Sequence, residues 1–478
     1  MTMEISDEIH ALCQRYQALA LSQDDERLTI ALNGEASTLL LQALRFATGK
    51  NIVIEQWPLA RLEQAHNQRQ TSALPTEQAL SEDTAPSLND DSEAPVVRFI
   101  NHALRTAIQR RASDVHVEPY QHQLRIRLRI DGVLQAVASP PFALARRVIA
   151  RLKIMGQLDI AERRLPQDGQ LSVQLDDAHY SMRIATLPTL HGEKVVLRIL
   201  QTDRQELPLE QLGMSPTDRG LFAGALANPQ GMILVTGPTG SGKTVTLYSG
   251  LRQLNDEQSN LCSVEDPIEI PVFGVNQTQI NAKTDLDFAR VLRALLRQDP
   301  DVIMIGEIRD KETAEIAVKA AQTGHLVLST LHTNSTSETL TRLTNMGIPG
   351  YLLASSLKLV IAQRLVRRLC IHCRYPQTER LHFPPSLWPE PLTPWRAEGC
   401  EHCFGGYYGR IGIYELLRIT PEVQQGLLQN MAASQLADIA QRQGQVSLLQ
   451  AGLTLVTQGI TSLEEVYRVI GNDAETQA

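Results

Sequence analysis

No stretch of this sequence runs apolar without interruption for the ~18 residues that a membrane-spanning helix needs. The longest candidate, Tyr351 to Leu365, is broken by Lys358 and Arg364. Residues 1–20 lack the basic start and apolar stretch of a secretory leader, so a cytosolic location is expected. A peripheral place on a membrane complex stays open. A basic surplus is missing too. The formal net charge is −8, with 6 Lys and Arg against 15 Asp and Glu in residues 1–95, and 39 against 38 in the rest. The larger part therefore carries no field that would draw nucleic acid, and no nucleic-acid partner is expected. The acidic N-terminal part is either a solvated face or a surface for a basic partner. Cysteine is scarce: Cys13 and Cys262 stand alone, as reduced buried thiols, beside Cys370, Cys373, Cys400 and Cys403. What is present is ample. With 478 residues and 43% hydrophobic content, the chain can build about three domains with several cores.

Residues Gly237 to Thr244 read G-P-T-G-S-G-K-T, a complete phosphate-binding loop. Gly237, Gly240 and Gly242 let the backbone turn tightly, and Pro238, Thr239 and Ser241 complete the cradle. Successive N–H groups and the start of the next helix would face an anion. Lys243 would reach the β- and γ-phosphates, and the Thr244 hydroxyl would bind Mg²⁺. The apolar run Met232 to Thr236 suits a buried strand before the loop, and Val245 to Tyr248 opens a helix after it.

Residues 1–66 have mixed patterning, with a helical look at Ala43 to Gly49 and a strand at Asn51 to Glu55. Residues 67–95, polar and proline-bearing, read as a flexible acidic linker. A helix is expected from Val96 to Arg110. Leu124 to Gly132 alternates strictly and ends in Asp-Gly, a strand-and-turn signal that sets Arg125, Arg127 and Arg129 on one face, solvated or binding. Pro141 to Leu158 reads as a basic helix, and 165–200 as strands bearing Arg183 and Arg198. Residues 96–205 thus form a small α+β domain. Residues 206–478 alternate strands and helices as an α/β nucleotide-binding core should, and end in a helical tail.

Two carboxylate clusters follow apolar strands. Glu265, Asp266 and Glu269 follow Leu261 to Val264, and Glu307 follows Val302 to Ile305, with Gly306 where the Walker B pattern usually has an Asp. Hydrolysis needs such carboxylates for the metal and for the attacking water. Capping or ion pairing is the alternative reading. His325 and His332 bracket a third strand, as structural histidines or as sensors of a γ-phosphate. Cys370–Cys373 and Cys400–Cys403 are C-x-x-C pairs with 26 residues between them, a spacing that suggests a structural Cys₄ zinc site rather than disulfides. His372 and His402 are lesser candidate ligands.

Over roughly residues 96–470 the motifs ASDVHVEP, RLRIDGVL, RLPQDGQ, RIATLPT, GEKVVLRIL, GPTGSGKTVTLYS, SVEDPIEI, LRALLRQDPDVIMIGEIRD, TGHLVLSTLHTN and GRIGIYE stand in order, with the cysteine pairs. In these the chain resembles the type II secretion and type IV pilus assembly ATPases, the GspE/PilB branch of the traffic ATPases. The resemblance implies a RecA-like P-loop core preceded by a small PAS-like α+β domain, a tetracysteine zinc insertion at 366–410 and a short N-terminal docking module at 1–66. It implies ATP, Mg²⁺ and Zn²⁺ as cofactors, with Lys243 and Thr244 on phosphate and Mg²⁺. Glu265 would be the general base and Glu307 the Mg²⁺ partner; His332, and less so His325, would match the His box. Arg183 and Arg198 would swing onto the phosphates like arginine fingers. The family works as a homohexamer on the cytoplasmic face of the inner membrane. It drives a platform protein, docks on a membrane-anchored protein, and assembles pilin or pseudopilin filaments. Retraction motors of the same family lack the cysteine insertion, and DNA-translocating ATPases would need basic loops.

Overall fold

The computed structural model describes residues 18–23, 27–32, 44, 48, 50–57, 95–137, 139–176, 178–200 and 207–471. Cys13 and the linker at 67–94 lie outside them, as does most of Ala43 to Gly49. The chain divides into two compact units, Met1–Pro86 and Ser87–Ala478. In the first, β1 (Leu19–Gln23) pairs antiparallel with β2 (Arg27–Leu32), and the strand expected at Asn51 is β3 (Asn51–Gln56), parallel to β2.

The second unit begins with α1 (Pro95–Gln109), whose buried Ile100, Leu104 and Ala107 recur at helical spacing and cover one face of a sheet. That sheet holds β4 (Asp114–Pro119), β5 (Leu124–Ile130), β6 (Val133–Val137), β7 (Gln167–Leu175), β8 (Ala178–Thr189) and β9 (Gly192–Leu200), in the antiparallel order β6-β5-β4-β9-β8-β7. The basic helix is α2 (Ala145–Met155), shorter than expected because Pro140 and Pro141 precede it and Gly156 ends it. Burial along β5 alternates without a break, so Arg125, Arg127 and Arg129 do share the outer face. They are not free: Glu118 binds Arg125 and Arg127, and Asp114 lies 3.7 Å from Arg129. One row of side chains crosses this face, since Asp114 faces both Arg129 and Arg198, Arg198 faces Arg183, and Arg183 faces Gln170.

The nucleotide-binding core follows. Its elements are α3 (Pro216–Leu226), β10 (Gly231–Thr236), α4 (Lys243–Leu254), β11 (Leu261–Glu265), β12 (Val275–Gln279), α5 (Phe288–Leu295), β13 (Val302–Ile305), α6 (Lys311–Gln322), β14 (Leu326–Leu331), α7 (Thr336–Asn345), α8 (Gly350–Ser356), β15 (Leu357–Leu369), β16 (Arg374–Pro376), β17 (Trp395–Ala397) and β18 (Tyr407–Arg418). The sheet order is β12-β11-β13-β14-β10-β15-β18, parallel except for the β15–β18 pair at one edge. Every residue of β10, β11, β13 and β14 is buried, which is why these segments read as continuous apolar runs. Helices cover both faces with two cores, one around Leu292, Ala317 and Leu340, the other around Phe222, Leu247 and Tyr414. The C-terminal tail is α9 (Pro421–Leu428), α10 (Ala433–Arg442), α11 (Leu448–Thr457) and α12 (Leu463–Ile470).

One boundary differs from the sequence reading. Residues 366–369 and 407–410 belong to the long β15–β18 hairpin, because Val366, Arg367 and, past a register shift, Leu369 still pair with Ile411, Arg410 and Tyr407. The cysteine-bearing segment therefore closes the far end of a hairpin that is itself part of the main sheet.

Candidate nucleotide and metal sites

The phosphate loop leaves β10 at its C-terminal end. Gly237, Gly240 and Gly242 all have positive φ, at 148°, 81° and 89°. A Cβ on Gly237 would come within 2.5 Å of the Gln363 carbonyl, and one on Gly242 within 2.8 Å of the Gln363 amide nitrogen, so both glycines are needed for space as well as conformation. The loop fits an anion. Lys243 is 8% exposed, and its Nζ donates to the Gly237 and Pro238 carbonyls at 2.8 and 3.1 Å. Burial pushes its ammonium down to about 8; Glu307 opposes the shift and Arg364 reinforces it. The Ser241 hydroxyl is buried with no hydrogen-bond partner among the described residues, an acceptor- and donor-capable group left over in the cradle.

A cleft of about 610 Å³ joins this loop to the ends of the neighbouring strands. Glu265 ends β11, Glu307 lies two residues past β13, and His332 follows β14; all three line the cleft with Lys243 and Thr244. Strands β11, β13, β14 and β10 are neighbours in that order, so four consecutive parallel strands deliver these groups to one edge, where open α/β sheets place ligands. Gly306 explains the missing Asp. A Cβ there would stand 3.3 Å from the Val264 carbonyl and 3.4 Å from the Glu265 Cα, so a side chain would crowd β11.

The two glutamates differ in surroundings. Glu265 is 3% exposed, and both its oxygens are engaged: Oε1 accepts from Ser263 Oγ at 2.7 Å and Gln277 Nε2 at 2.9 Å, and Oε2 accepts from the Tyr248 hydroxyl. Glu307 is more open. Oε2 meets His332 Nε2 at 3.1 Å and Oε1 pairs with Arg309, which also reaches Asp266 at 3.2 Å. Burial raises the Glu307 carboxyl, but Arg309 and His332 more than offset it and hold the carboxyl below its ordinary range. Asp310, next in sequence, is the N-cap of α6.

Of the two histidines, only His332 reaches this cleft. His325 stands at the other end of β14, where its Nδ1 lies 3.0 Å from the Ala320 carbonyl, and the six-residue strand separates it from the phosphate-loop end of the sheet. Arg183 and Arg198 do not line the cleft. Arg198 Nε donates to Asp114 Oδ1 at 3.0 Å on the small domain's own sheet. Sequence reasoning missed Tyr248, Ser263 and Gln277, which hold Glu265, as well as Arg309 and Arg410. Arg410 lay inside the quoted GRIGIYE motif, but nothing in its spacing connects it to the phosphate loop.

The four cysteines meet at the hairpin end, with their Sγ atoms all within 4.8 Å of one another. Cys370–Cys400, Cys373–Cys403 and Cys400–Cys403 are separated by 3.8, 3.7 and 3.7 Å. A tetrahedron with Zn–S bonds near 2.3 Å has edges of about 3.8 Å, and these three separations match it, so the donor set and its spacing fit a tetrahedral zinc ion. His372 and His402, inside the two C-x-x-C turns, contact each other with ring centroids 4.6 Å apart and planes tilted by 44°, and four cysteines complete a tetrahedral set without them.

Comparison with known proteins agrees with this geometry. Residues 89–468 match the family model described as type II/IV secretion system protein. The chain is 52% identical to the "Protein transport protein HofB homolog" of Escherichia coli K12, over 97% of this chain and 98% of that one. It is 45% identical to the "Type IV pilus assembly ATPase PilB" of Acinetobacter baylyi, over 96% and 83% of the two chains. Among solved structures, that of the pilus retraction motor PilT with bound ADP matches at 26% identity and a TM-score of 0.52, covering 78% of this chain and 97% of PilT. Among the described residues, no helix is long and apolar enough to cross a membrane.

Proposed function

This chain belongs to the type II/IV secretion system protein family, and on that premise we propose that it is an ATPase, converting ATP and water to ADP and phosphate, that powers assembly of pilin or pseudopilin filaments. The carrying observation is the convergence of Lys243, Thr244, Glu265, Glu307 and His332 in one cleft at the C-terminal edge of the parallel sheet. It works as a ring of six on the cytoplasmic face of the inner membrane and pushes on a platform protein there. Residues 1–66 serve as its docking module for a membrane-anchored partner.

In this reading the loop amides from Gly237 to Thr244 and the Lys243 ammonium bind the phosphates. Lys243 gives up the Gly237 and Pro238 carbonyls for phosphate oxygens and regains in charge pairing what burial costs it. Bound Mg²⁺ would neutralise charge on the β- and γ-phosphates, with the Thr244 hydroxyl and the acidic cluster as its residues here. The hydrogen bonds favour a division of labour opposite to the expected one. Glu265, held in place by Tyr248, Ser263 and Gln277, would serve the metal. Glu307, close enough to Lys243 to raise its pKa, orients the attacking water and receives its proton, and His332 reports on the γ-phosphate. Arg183 and Arg198 act as arginine fingers only when domain or subunit motion brings them to the cleft.

The test is phosphate release by the full chain with ATP and Mg²⁺, together with complementation of a strain deficient in filament assembly. Lys243→Ala should lose both. Turnover by Lys243→Ala equal to that of the parent, or hydrolysis that depends on added nucleic acid, would overturn the reading. The likeness to PilT favours a retraction motor as the second reading. The four cysteines weigh against it, and the direction of filament length change on complementation separates the two.

A further inference from the structure

The β5–β6 turn of the small domain touches the nucleotide-binding core through Asp131. Asp131 sits there with φ +48° and a side chain 13% exposed. Its Oδ2 accepts the Gly409 N–H at 2.9 Å, and its Oδ1 lies 3.8 Å from Arg410 Nε. Arg111, 4.0 Å from the same carboxylate, lays its guanidinium 3.7 Å above the Tyr408 ring. Phe404, a few residues earlier, packs against the small domain's core with Arg110 over its ring at 5.0 Å. The segment from the last cysteine to Arg410 is thus gripped by Arg110, Arg111 and Asp131. Arg410 also lines the cleft that Lys243, Glu307 and His332 line.

We infer that Asp131 is a positioning residue for ATP hydrolysis: by holding the Gly409 amide and the Arg410 guanidinium it sets where Arg410 stands on the rim of the nucleotide cleft. The inference rests on the ATPase reading above. A carboxylate that takes a backbone N–H fixes the strand's entry, and its remaining charge restrains the adjacent guanidinium, which would otherwise sample many rotamers in an open cleft. Attachment of the small domain and placement of a cleft arginine are then one event. Cation placement against phosphates affects the charge that develops during transfer more than ground-state binding, so the effect belongs in kcat rather than KM.

Asp131→Asn isolates the charge. Asparagine tolerates positive φ nearly as well as any residue other than glycine, and its amide oxygen still accepts from Gly409. Steady-state ATP hydrolysis is measured on the full chain, Asp131→Asn, Arg410→Lys and the double variant, with unfolding midpoints alongside. Lysine keeps the charge at 410 and leaves turnover measurable. The expected result is a roughly three- to tenfold lower kcat in Asp131→Asn with KM within about twofold, and a double variant no worse than Arg410→Lys alone within about twofold. Parental kcat in Asp131→Asn, or losses that multiply in the double variant, overturns the inference. Should the asparagine variant fold poorly, Asp131→Gly adopts this φ without strain and removes both contacts at once; the same kcat loss is expected, and parental kcat overturns the inference. A parent chain that hydrolyses no ATP would defeat the ATPase reading itself, a distinguishable result.

Discussion

Arg183 and Arg198 stand directly opposite each other on β8 and β9, two like charges across one ladder. Asp114 neutralises Arg198 from the other side, and no ion pair or side-chain hydrogen bond reaches Arg183 among the described residues. Like charges in opposed positions cost stability. Arg183→Ala is therefore expected to leave unfolding stability unchanged or higher by less than about 1 kcal/mol, while lowering turnover by on the order of 10³ if it serves as an arginine finger. Denaturant unfolding and ATPase assays on the same preparation decide it, and unaltered turnover would remove Arg183 from the mechanism.

Lys243 titrates at about 8 in the folded chain against 10.5 ordinarily. Between those values the unfolded chain holds a proton that the folded chain lacks. The stability cost of burying this charge is thus carried in full below pH 8 and relieved as pH rises toward 10.5. Phosphate favours the charged form, so nucleotide binding takes up a proton above pH 8. Affinity for an ATP analogue should weaken above that pH, approaching about tenfold per pH unit. Titrations from about pH 7 to 9.5 measure this, and a flat profile contradicts the assignment.

Glu265→Gln and Glu307→Gln should separate. At 265 the new amide would present a donor to groups that already donate, Tyr248, Ser263 and Gln277, and should cost about 1–3 kcal/mol of stability as well as turnover. At 307 the loss should fall on hydrolysis, with ATP-analogue binding nearly retained. Equal destabilisation by the two would argue against their different roles.

Much of this was legible in the sequence. The phosphate loop, the strict alternation of 124–130 and the cysteine spacing are local patterns, and local patterns survive folding. The partners of Glu265 were not legible, because Tyr248 lies on α4 and Gln277 on β12, and only the sheet order sets them beside β11. Asp131 and Gly409 are 278 positions apart, and neither is unusual for its turn. Which of His325 and His332 reaches the cleft was left open by the sequence, and the order of the parallel strands decides it: His332 follows β14 at the ligand edge and His325 precedes it.

Metal analysis of purified protein should find about one zinc per chain, abolished by Cys370→Ser with Cys403→Ser. Metal-free protein with all four thiols reactive would disprove the site. Loss of zinc should also loosen the segment that Arg110 and Asp131 grip, seen as faster amide exchange at Gly409.

Lys153 and Glu193 form a buried ion pair at 2.7 Å, with Lys153 1% exposed and its Nζ also donating to the Glu162 carbonyl. Lys153→Met should cost about 3–5 kcal/mol, because it strands a buried carboxylate, and adding Glu193→Leu should restore much of it. Chemical denaturation of the single and double variants measures both.

The β15–β18 hairpin carries a mechanical consequence. Its 13-residue strand β15 is rooted by Leu357–Ala362 against β10, which feeds the phosphate loop, and is stitched to β18 from Leu359 to Leu369. At about 3.3 Å per residue it is a beam roughly 40 Å long, so a tilt of about 10° at its rooted end would carry its free end about 7 Å. With the four-cysteine cluster at that end and Asp131 clamped just behind it, a displacement at Gln363, against the phosphate loop and halfway along the beam, would be about doubled at Leu369.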